Sequence, residues 1–397
     1  MGKNLDTGLI HTGDGQFYKQ VAKSSSVPEV LPLYRTSVFA FDDVPSVDRI
    51  YEGEDDGYIY SRMRHPNTDA VSEILAAADE TEAALVFSSG MAAITMSILS
   101  VVQQGDHIIS SPVLYGGVHD FLANELSRFG VSVTFVDFLH ENIADFIRPE
   151  TKLIYTESIC NPLMEVPDMA AVAKVAHEHG LLFFVDNTFA TPVVVKPALL
   201  GADVVLYSAT KYLGGHSDII GGAAAGSQAL IDKIHKTLTL YGAVLGADDS
   251  WLLARSLRTL SLRVTAHSHN AMQVAQYLEK HPKIERVFYP GLVSSASHEW
   301  AKAQFSAGLF GGMLSFNLRG GEKEAATVIR ELRTIKYVPS LAGTATTLSY
   351  AAKTSHRSYS PADLAAAGIT LGQLRLSVGL ERAEDIIAEL ADVLEKI

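Results

Sequence analysis

From about residue 70 the chain alternates between two hydrophobic periods. TDAVSEILAAADE carries apolar residues at helical spacing behind Thr68 and Asp69, which read as caps. ALVFSS is a short apolar run and MAAITMSILSVV a buried helix. HIISS, VSVTFVD and KLIYTES read as strands, with a short helical stretch, ENIADFIR, before the last of them. MAAVAKVAHEHG is a helix stopped by Gly180, followed by the strands LLFFVD and ADVVLYS. Short apolar strands separated by helices predict an α/β fold with a mostly parallel sheet covered on both faces. Around Asp248 the pattern changes to a long helical stretch, DDSWLLARSLRTLSLRVTAHSHNAMQVAQYLEKH, with a break expected near Thr259–Ser261. Beyond it, IERVFYP, GGMLSFNL and QLRLSVG read as strands, and EKEAATVIREL and AEDIIAELADVLEKI as helices. Residues 1–62, rich in Gly, Pro and charge, read as an extended arm ordered against another surface. The expected organisation is therefore an arm (1–62), a large α/β domain (63–250) and a smaller α+β domain (251–397).

The length, 397 residues, agrees with more than one core. Apolar residues make up 47% and charged residues 19%, a balance that excludes disorder. The net charge is −13, from 32 basic and 45 acidic residues, so nucleic acid and anionic membranes are not expected partners. Residues 83–105 carry no charge over a span-length stretch, but the Ser-Ser-Gly interruption predicts a strand, a turn and a helix instead of a membrane span. One cysteine, Cys160, excludes an intrachain disulfide and fits a reducing, cytoplasmic setting. No secretory leader is read at the N-terminus.

In open α/β sheets ligands gather beyond the carboxyl ends of the strands. Three such ends carry candidate chemistry. Ser89-Gly90-Met91 opens a helix, whose N-terminal amides favour an anion. Asp186 closes an apolar strand, where it is either a turn residue or a buried carboxylate for a cationic ring nitrogen. Ser208 and Thr210, on one side of an extended segment, could add hydroxyls to the same anion, and Lys211 follows them. No dinucleotide or nucleotide-triphosphate fingerprint is present. A phosphate cradle, an acid for a pyridinium nitrogen and a lysine able to condense with a carbonyl are the needs of pyridoxal phosphate.

The segments YSRMRHPNTD, SSGMAAI, VLYGG, VDNTFATP, GADVVLYSATKYLGGHSDIIGG and LRLSVGLE occur in the order found in the Cys/Met-metabolism, or transsulfuration, family of pyridoxal-phosphate enzymes. The chain resembles that family over almost its whole length. The resemblance implies the aspartate-aminotransferase-like fold (fold type I) and pyridoxal 5'-phosphate as cofactor. It implies that Lys211 binds the cofactor and moves protons, that Asp186 pairs with the ring nitrogen, and that Ser89, Gly90, Met91, Ser208 and Thr210 hold the phosphate. Tyr60 and Arg62 are implied to reach the phosphate of a neighbouring subunit, in a homotetramer built from dimers with shared sites. Tyr115 is implied to stack on the ring and serve the leaving group. Arg375, with Asn161 and Ser340, is implied to clamp the substrate carboxylate.

Two departures bear on specificity. The tyrosine motif continues Tyr115-Gly116-Gly117 without a cysteine, and Ser340-Leu341-Ala342-Gly343 is followed by Thr344-Ala345-Thr346-Thr347 without a glutamate. The expectation is a C–S lyase acting on small sulfur amino acids such as methionine, homocysteine, cystathionine or cysteine. The alternatives are a γ-replacement enzyme that joins an activated homoserine ester to a thiol, and a cofactor-binding protein without catalysis. No metal site is expected: His177 and His179, and His267 and His269, stand two apart on helices, where they do not share a face. Cys160 reads as a small wall residue, His216 as a neighbour of the lysine loop, and Trp251 as packing.

Overall fold

The computed structural model describes residues 4–13, 28–354, 357, 364 and 368–397, so parts of the expected arm (1–3 and 14–27) lie outside the described residues. Seven strands form the first sheet: β1 (Ala83–Phe87), β2 (His107–Ser110), β3 (Ser132–Phe135), β4 (Thr151–Glu157), β5 (Leu182–Asp186), β6 (Val204–Tyr207) and β7 (Gly222–Gly226). Their order is β1-β7-β6-β5-β4-β2-β3. All pairings are parallel except those of β7, which runs antiparallel to both β1 and β6. Successive strand residues point to opposite faces, and the cores record it. Phe183, Val185, Val205 and Tyr207 belong to one apolar cluster, whereas Phe184, Val204 and Leu206 belong to the other. Both faces are thus covered, as the continuous apolar strands require.

β7 was not expected, because GAAAG has neither branched nor aromatic residues. Its small side chains let the helix Gly90–Leu99 sit close to the sheet. A Cβ at Gly222 would lie 2.1 Å from the Ser89 carbonyl oxygen and 2.9 Å from Ala93 Cβ. The helices Gln228–Tyr241 and Gly116–Asp120, with the turns that extend the latter to Arg128, were likewise not assigned from the pattern.

The second sheet has the order β10-β11-β12-β9-β8, with β8 (Ile284–Phe288), β9 (Met313–Leu318), β10 (Lys336–Tyr337), β11 (Thr347–Ser349) and β12 (Gln373–Ser377). Helices Ala247–Leu257 and Leu260–Glu279 replace the single long helix, and the break falls at Arg258 and Thr259, as expected. No helix among the described residues is long and apolar enough to cross a membrane, and residues 83–105 contain β1, a turn and a helix.

Two local expectations change. The helix at residue 70 starts at Pro66 with His65 as its cap, since proline is pre-organised for the first helical position. Thr68 and Asp69 instead lie inside the first turn, where Asp69 receives Arg64 at 2.8 Å. The N-terminal region is not simply extended: it contains the helices Leu5–His11 and Val44–Tyr51. It docks on its own chain, with Trp251 Nε1 donating to Leu31 O (2.7 Å) and Asn67 Nδ2 to Pro32 O (2.9 Å).

Replacing Gly222 by alanine places a methyl group against backbone, where neither side can rotate away. Gly222→Ala should cost about 1–3 kcal/mol or more and lower the urea midpoint, with Ala224→Gly as the opposite, cavity-forming control. An unchanged midpoint would contradict this packing.

Candidate active site

The carboxyl ends of β1, β4, β5 and β6 meet the second sheet around a cavity of about 600 Å³. Ser89, Gly90, Met91, Tyr115, Asn161, Asp186, Ser208, Thr210, Lys211 and Arg375 all line it. Ser340 stands at its rim and accepts a hydrogen bond from Lys211 Nζ at 3.3 Å. The sequence therefore brought together eleven of its thirteen candidates. Tyr60 and Arg62 stand apart: Arg62 lines a separate cavity of about 530 Å³ and donates to Thr239 O at 2.7 Å. Its guanidinium also lies 5.5 Å from the centre of the exposed Tyr60 ring.

Each side chain is placed by local backbone. Ser89 caps its helix by accepting from Ala92 N at 3.1 Å, so the helix amides face the cavity. Gly90 allows the approach of the lysine loop, since a Cβ there would lie 2.6 Å from Ser208 Cβ. Ser208 and Thr210 are not on an extended segment. A tight turn carries them, with Lys211 N donating to Ser208 O (3.1 Å) and Gly215 N to Lys211 O (2.7 Å). Behind that turn, buried Arg263 donates to Tyr212 O (2.8 Å) and Ser256 O (2.9 Å), and Gly215 leaves room for its guanidinium. Burial lowers the Lys211 pKa, with a smaller push from the Arg375 charge, which enlarges the fraction of neutral amine.

Two site residues escaped the sequence reading. Glu157 ends β4 directly beside Asp186 in the strand register, and lines the same cavity. Its two oxygens accept from Tyr115 N (2.7 Å) and Asn161 N (3.0 Å). Burial pushes its pKa well above the usual range, and neighbouring Asp186 adds to the effect. Thr188 donates its N–H (2.9 Å) and hydroxyl to Asp186 Oδ1, and its oxygen accepts from Ser208 N at 2.8 Å. Glu157 was readable as a carboxylate at a strand end; Thr188 stood two residues after Asp186, the spacing of an Asx turn.

Arg375 on β12 is buried and crosses from the second sheet to the first. Nη1 donates to Asn161 Oδ1 at 2.6 Å and Nε to Ser349 Oγ at 3.0 Å, which leaves Nη2 for a ligand carboxylate. Burial draws its pKa down to about 10, opposed by Glu157. Tyr115 is half exposed, and its ring leans on Gly117, where a Cβ would lie 2.8 Å from Cε1.

The residues set aside from the sequence stay outside the cavity lining. His267 is buried against Val378 O (2.7 Å), His179 caps toward Val175 O (2.9 Å), and His177 faces Asp203 (3.2 Å). His216 bonds Gly214 O at 2.7 Å. Cys160 is buried on a separate cavity of about 230 Å³ instead of the active-site wall. Trp251 does more than pack, since it holds the arm. No cluster of potential metal ligands occurs among the described residues.

A pyridoxal phosphate fits these groups. Asp186 is buried, its pKa is raised by that burial, and both recorded donors reach Oδ1 alone. No cation among the described residues pairs with it, and a ring N–H⁺ would supply one. The Gly90–Ser208 approach and the Ser89-capped helix start line the same cavity as Lys211 and Arg375, where the helix amides favour an anion.

Comparison with known proteins agrees. The chain is 43% identical over 373 residues to an L-methionine gamma-lyase of Treponema denticola, covering 92% of each protein. It is 41% identical to a cystathionine gamma-lyase of Bacillus subtilis, over 92% of this chain and 94% of that one. The crystal structure of cystathionine gamma-lyase from Lactobacillus plantarum complexed with L-serine superposes with a TM-score of 0.90 at 36% identity, over 100% of this chain and 99% of that one. Residues 6–395 match the profile of the Cys/Met metabolism PLP-dependent enzymes, and the chain belongs to that family.

Proposed function

We propose that this enzyme is a C–S lyase that eliminates a thiol from small sulfur amino acids and releases a 2-keto acid and ammonia. The observation that carries the reading is that Lys211, the hydrogen-bonded Arg375–Asn161 pair and Asp186 line one cavity. The relatives named as methionine and cystathionine gamma-lyases support a γ-position for the cleaved bond.

Bound pyridoxal phosphate supplies a carbonyl for the substrate amine and a ring that stores the electron pair left at Cα. The chain does the rest. Arg375 Nη2 takes the α-carboxylate, while Asn161 and Ser349 fix the guanidinium plane. Lys211, with its lowered pKa, removes the proton at Cα, while Ser340 steadies its amine. After passing that proton on, Lys211 removes the proton at Cβ, whose electron pair expels the γ-sulfur. Asp186 holds the ring nitrogen protonated, and Thr188 fixes the carboxylate orientation. Ser89, Gly90, Met91, Ser208 and Thr210 hold the phosphate. Tyr115, half exposed and lining the cavity, would stack on the bound ring and give a proton to the departing sulfur.

Tyr60 and Arg62 lie outside the cavity of their own chain, which supports their use on a neighbouring subunit's phosphate. The reading assigns residues 1–62 to that exchange, 63–250 to cofactor binding and 251–397 to closing the substrate side. Dimers sharing sites in this way pair into a homotetramer. The buried single thiol suits the cytoplasm.

Three measurements test this reading. Lys211→Ala should abolish the visible absorbance of the lysine-bound cofactor and lower keto-acid release by roughly 10²–10⁴-fold; retention of that band would overturn the assignment of Lys211. Glu157→Gln keeps one acceptor but turns an amide NH₂ toward the second backbone donor. With one buried backbone donor left unsatisfied, at about 1–3 kcal/mol, kcat/KM for methionine should fall roughly 5–100-fold through both KM and kcat at unchanged cofactor content. If only the melting temperature moves, Glu157 is merely structural. Dilution below the dimer's dissociation range should release cofactor, and Arg62→Ala should release it at every concentration; full retention in a proven monomer would refute the shared site.

A further inference from the structure

We propose that Lys353 and Arg357 form an anion-binding subsite for the far end of the substrate side chain. Amino acids ending in a second acidic group are then preferred over neutral or cationic ones of equal length. The proposal rests on the lyase reading above and narrows its substrate class.

Both residues line the cavity that contains Lys211 and Arg375. Their placement follows from the carboxylate clamp. Ser349 pairs with Arg375 in the β11–β12 register and accepts from its Nε at 3.0 Å. The chain then runs directly into a tight turn, Ala351–Lys353, anchored by Tyr350, whose hydroxyl donates to Leu371 O at 2.5 Å. Lys353 N donates to Tyr350 O (3.0 Å), Thr354 N to Ala351 O (3.1 Å) and Arg357 N to Thr354 O (3.3 Å). This succession of turns sets both cations on the wall that continues outward from the clamp.

The charges on that wall are one-sided. Glu157 and Asp186, the carboxylates that line the cavity, sit buried at the strand ends and are bonded to backbone amides. The stretch Thr344–Thr347 carries no acid, and Glu381 behind it bonds Thr346 through both oxygens and does not line the cavity. Lys353 shares its charge with Glu322 at 2.7 Å, and both groups are half exposed. Arg357 forms no ion pair among the described residues. Among the charges, Arg375 alone presses on Lys211, so Lys353 and Arg357 act away from the reacting atoms. A substrate with its α-carboxylate on Arg375 and its amine at Lys211 therefore extends its side chain toward two cations that the chemistry itself does not use. A terminal carboxylate is matched there; a terminal ammonium is opposed.

The holoenzyme should be titrated with 2-aminoadipate, norleucine and lysine, following the cofactor's visible band. These probes share a chain length and differ at the end group, and none needs a cleavable C–S bond. A partly exposed ion pair is worth about 2–5-fold in affinity, so 2-aminoadipate should bind roughly 5–20-fold tighter than norleucine, with lysine weakest. Raised salt should shrink the gap. In K353Q/R357Q the preference should vanish with the cofactor band intact; should the double variant lose its cofactor, R357Q alone should at least halve the preference. Equal affinities in the unaltered enzyme, or a preference untouched by R357Q, would overturn the subsite. Keto-acid release from S-carboxymethylhomocysteine against its S-ethyl analogue separates the two readings. No keto acid from either, with the binding preference kept, defeats the lyase reading alone. Keto acid from both at equal kcat/KM defeats the subsite alone.

Discussion

A guanidinium cannot be buried without partners, because removing its charge from water costs several kcal/mol unless hydrogen bonds replace the lost solvation. Arg375 finds its partners in both halves of the molecule: Ser349 on the adjacent strand of its own sheet and Asn161 beyond the end of β4. The two sheets are therefore joined at the point where a substrate carboxylate would arrive. Asn161 can serve because its backbone is fixed in turn by Glu157, which also holds Tyr115. One buried carboxylate thus governs the tyrosine above the cavity and the asparagine beside the arginine.

The same logic explains why acids and cations alternate through the site. Glu157 and Asp186 lie side by side on neighbouring strands, and burial raises both pKa values. That arrangement is costly in isolation, because two buried negative charges repel at low dielectric. It would become favourable with a cationic ring nitrogen at Asp186, while the Arg375 charge already acts on Glu157. The family's cofactor thus supplies a charge that the apoprotein lacks, which is a physical reason for the site to hold it despite the net negative charge of the chain.

The legible parts of the fold were those where one residue type has one job. LLFFVD read as a buried strand, and the structure resolves its final aspartate, open between a turn residue and a buried carboxylate, as buried at the strand end. Lys211 became legible through Asp186 and the glycines around it. What stayed hidden depended on neighbours distant in sequence. GAAAG carries no strand signal, since its smallness answers to the helix Gly90–Leu99 packed above it. Glu157 looked like an ordinary strand terminus until the register set it beside Asp186. Arg263, which braces the lysine turn from the helix Leu260–Glu279, had no local mark, because two of the carbonyls it satisfies, Tyr212 O and Leu213 O, belong to a loop some fifty residues earlier. Ser208 and Thr210 reach the cavity by a different local route from the one expected: a turn, not an extended segment, carries them there.

Chemistry and selectivity occupy different kinds of backbone here. Ser89 caps a helix, and Glu157 and Asp186 stand at strand ends of the seven-stranded sheet. Arg375 stands on β12 of the second sheet, and Lys211 stands on a turn braced by Arg263. The groups on the outer wall stand on turns after β11, and Tyr115 leans over Gly117 at the start of a short helix. A turn can change its side chains without disturbing a ladder of backbone bonds, whereas a strand end cannot. An enzyme of this architecture can therefore alter which side chain it accepts while Asp186 and Arg375 stay where the sheets hold them and Lys211 where its braced turn holds it. Gly117 and the acid-free stretch Thr344–Thr347 alter size or charge beside the cavity without replacing Lys211, Asp186 or Arg375.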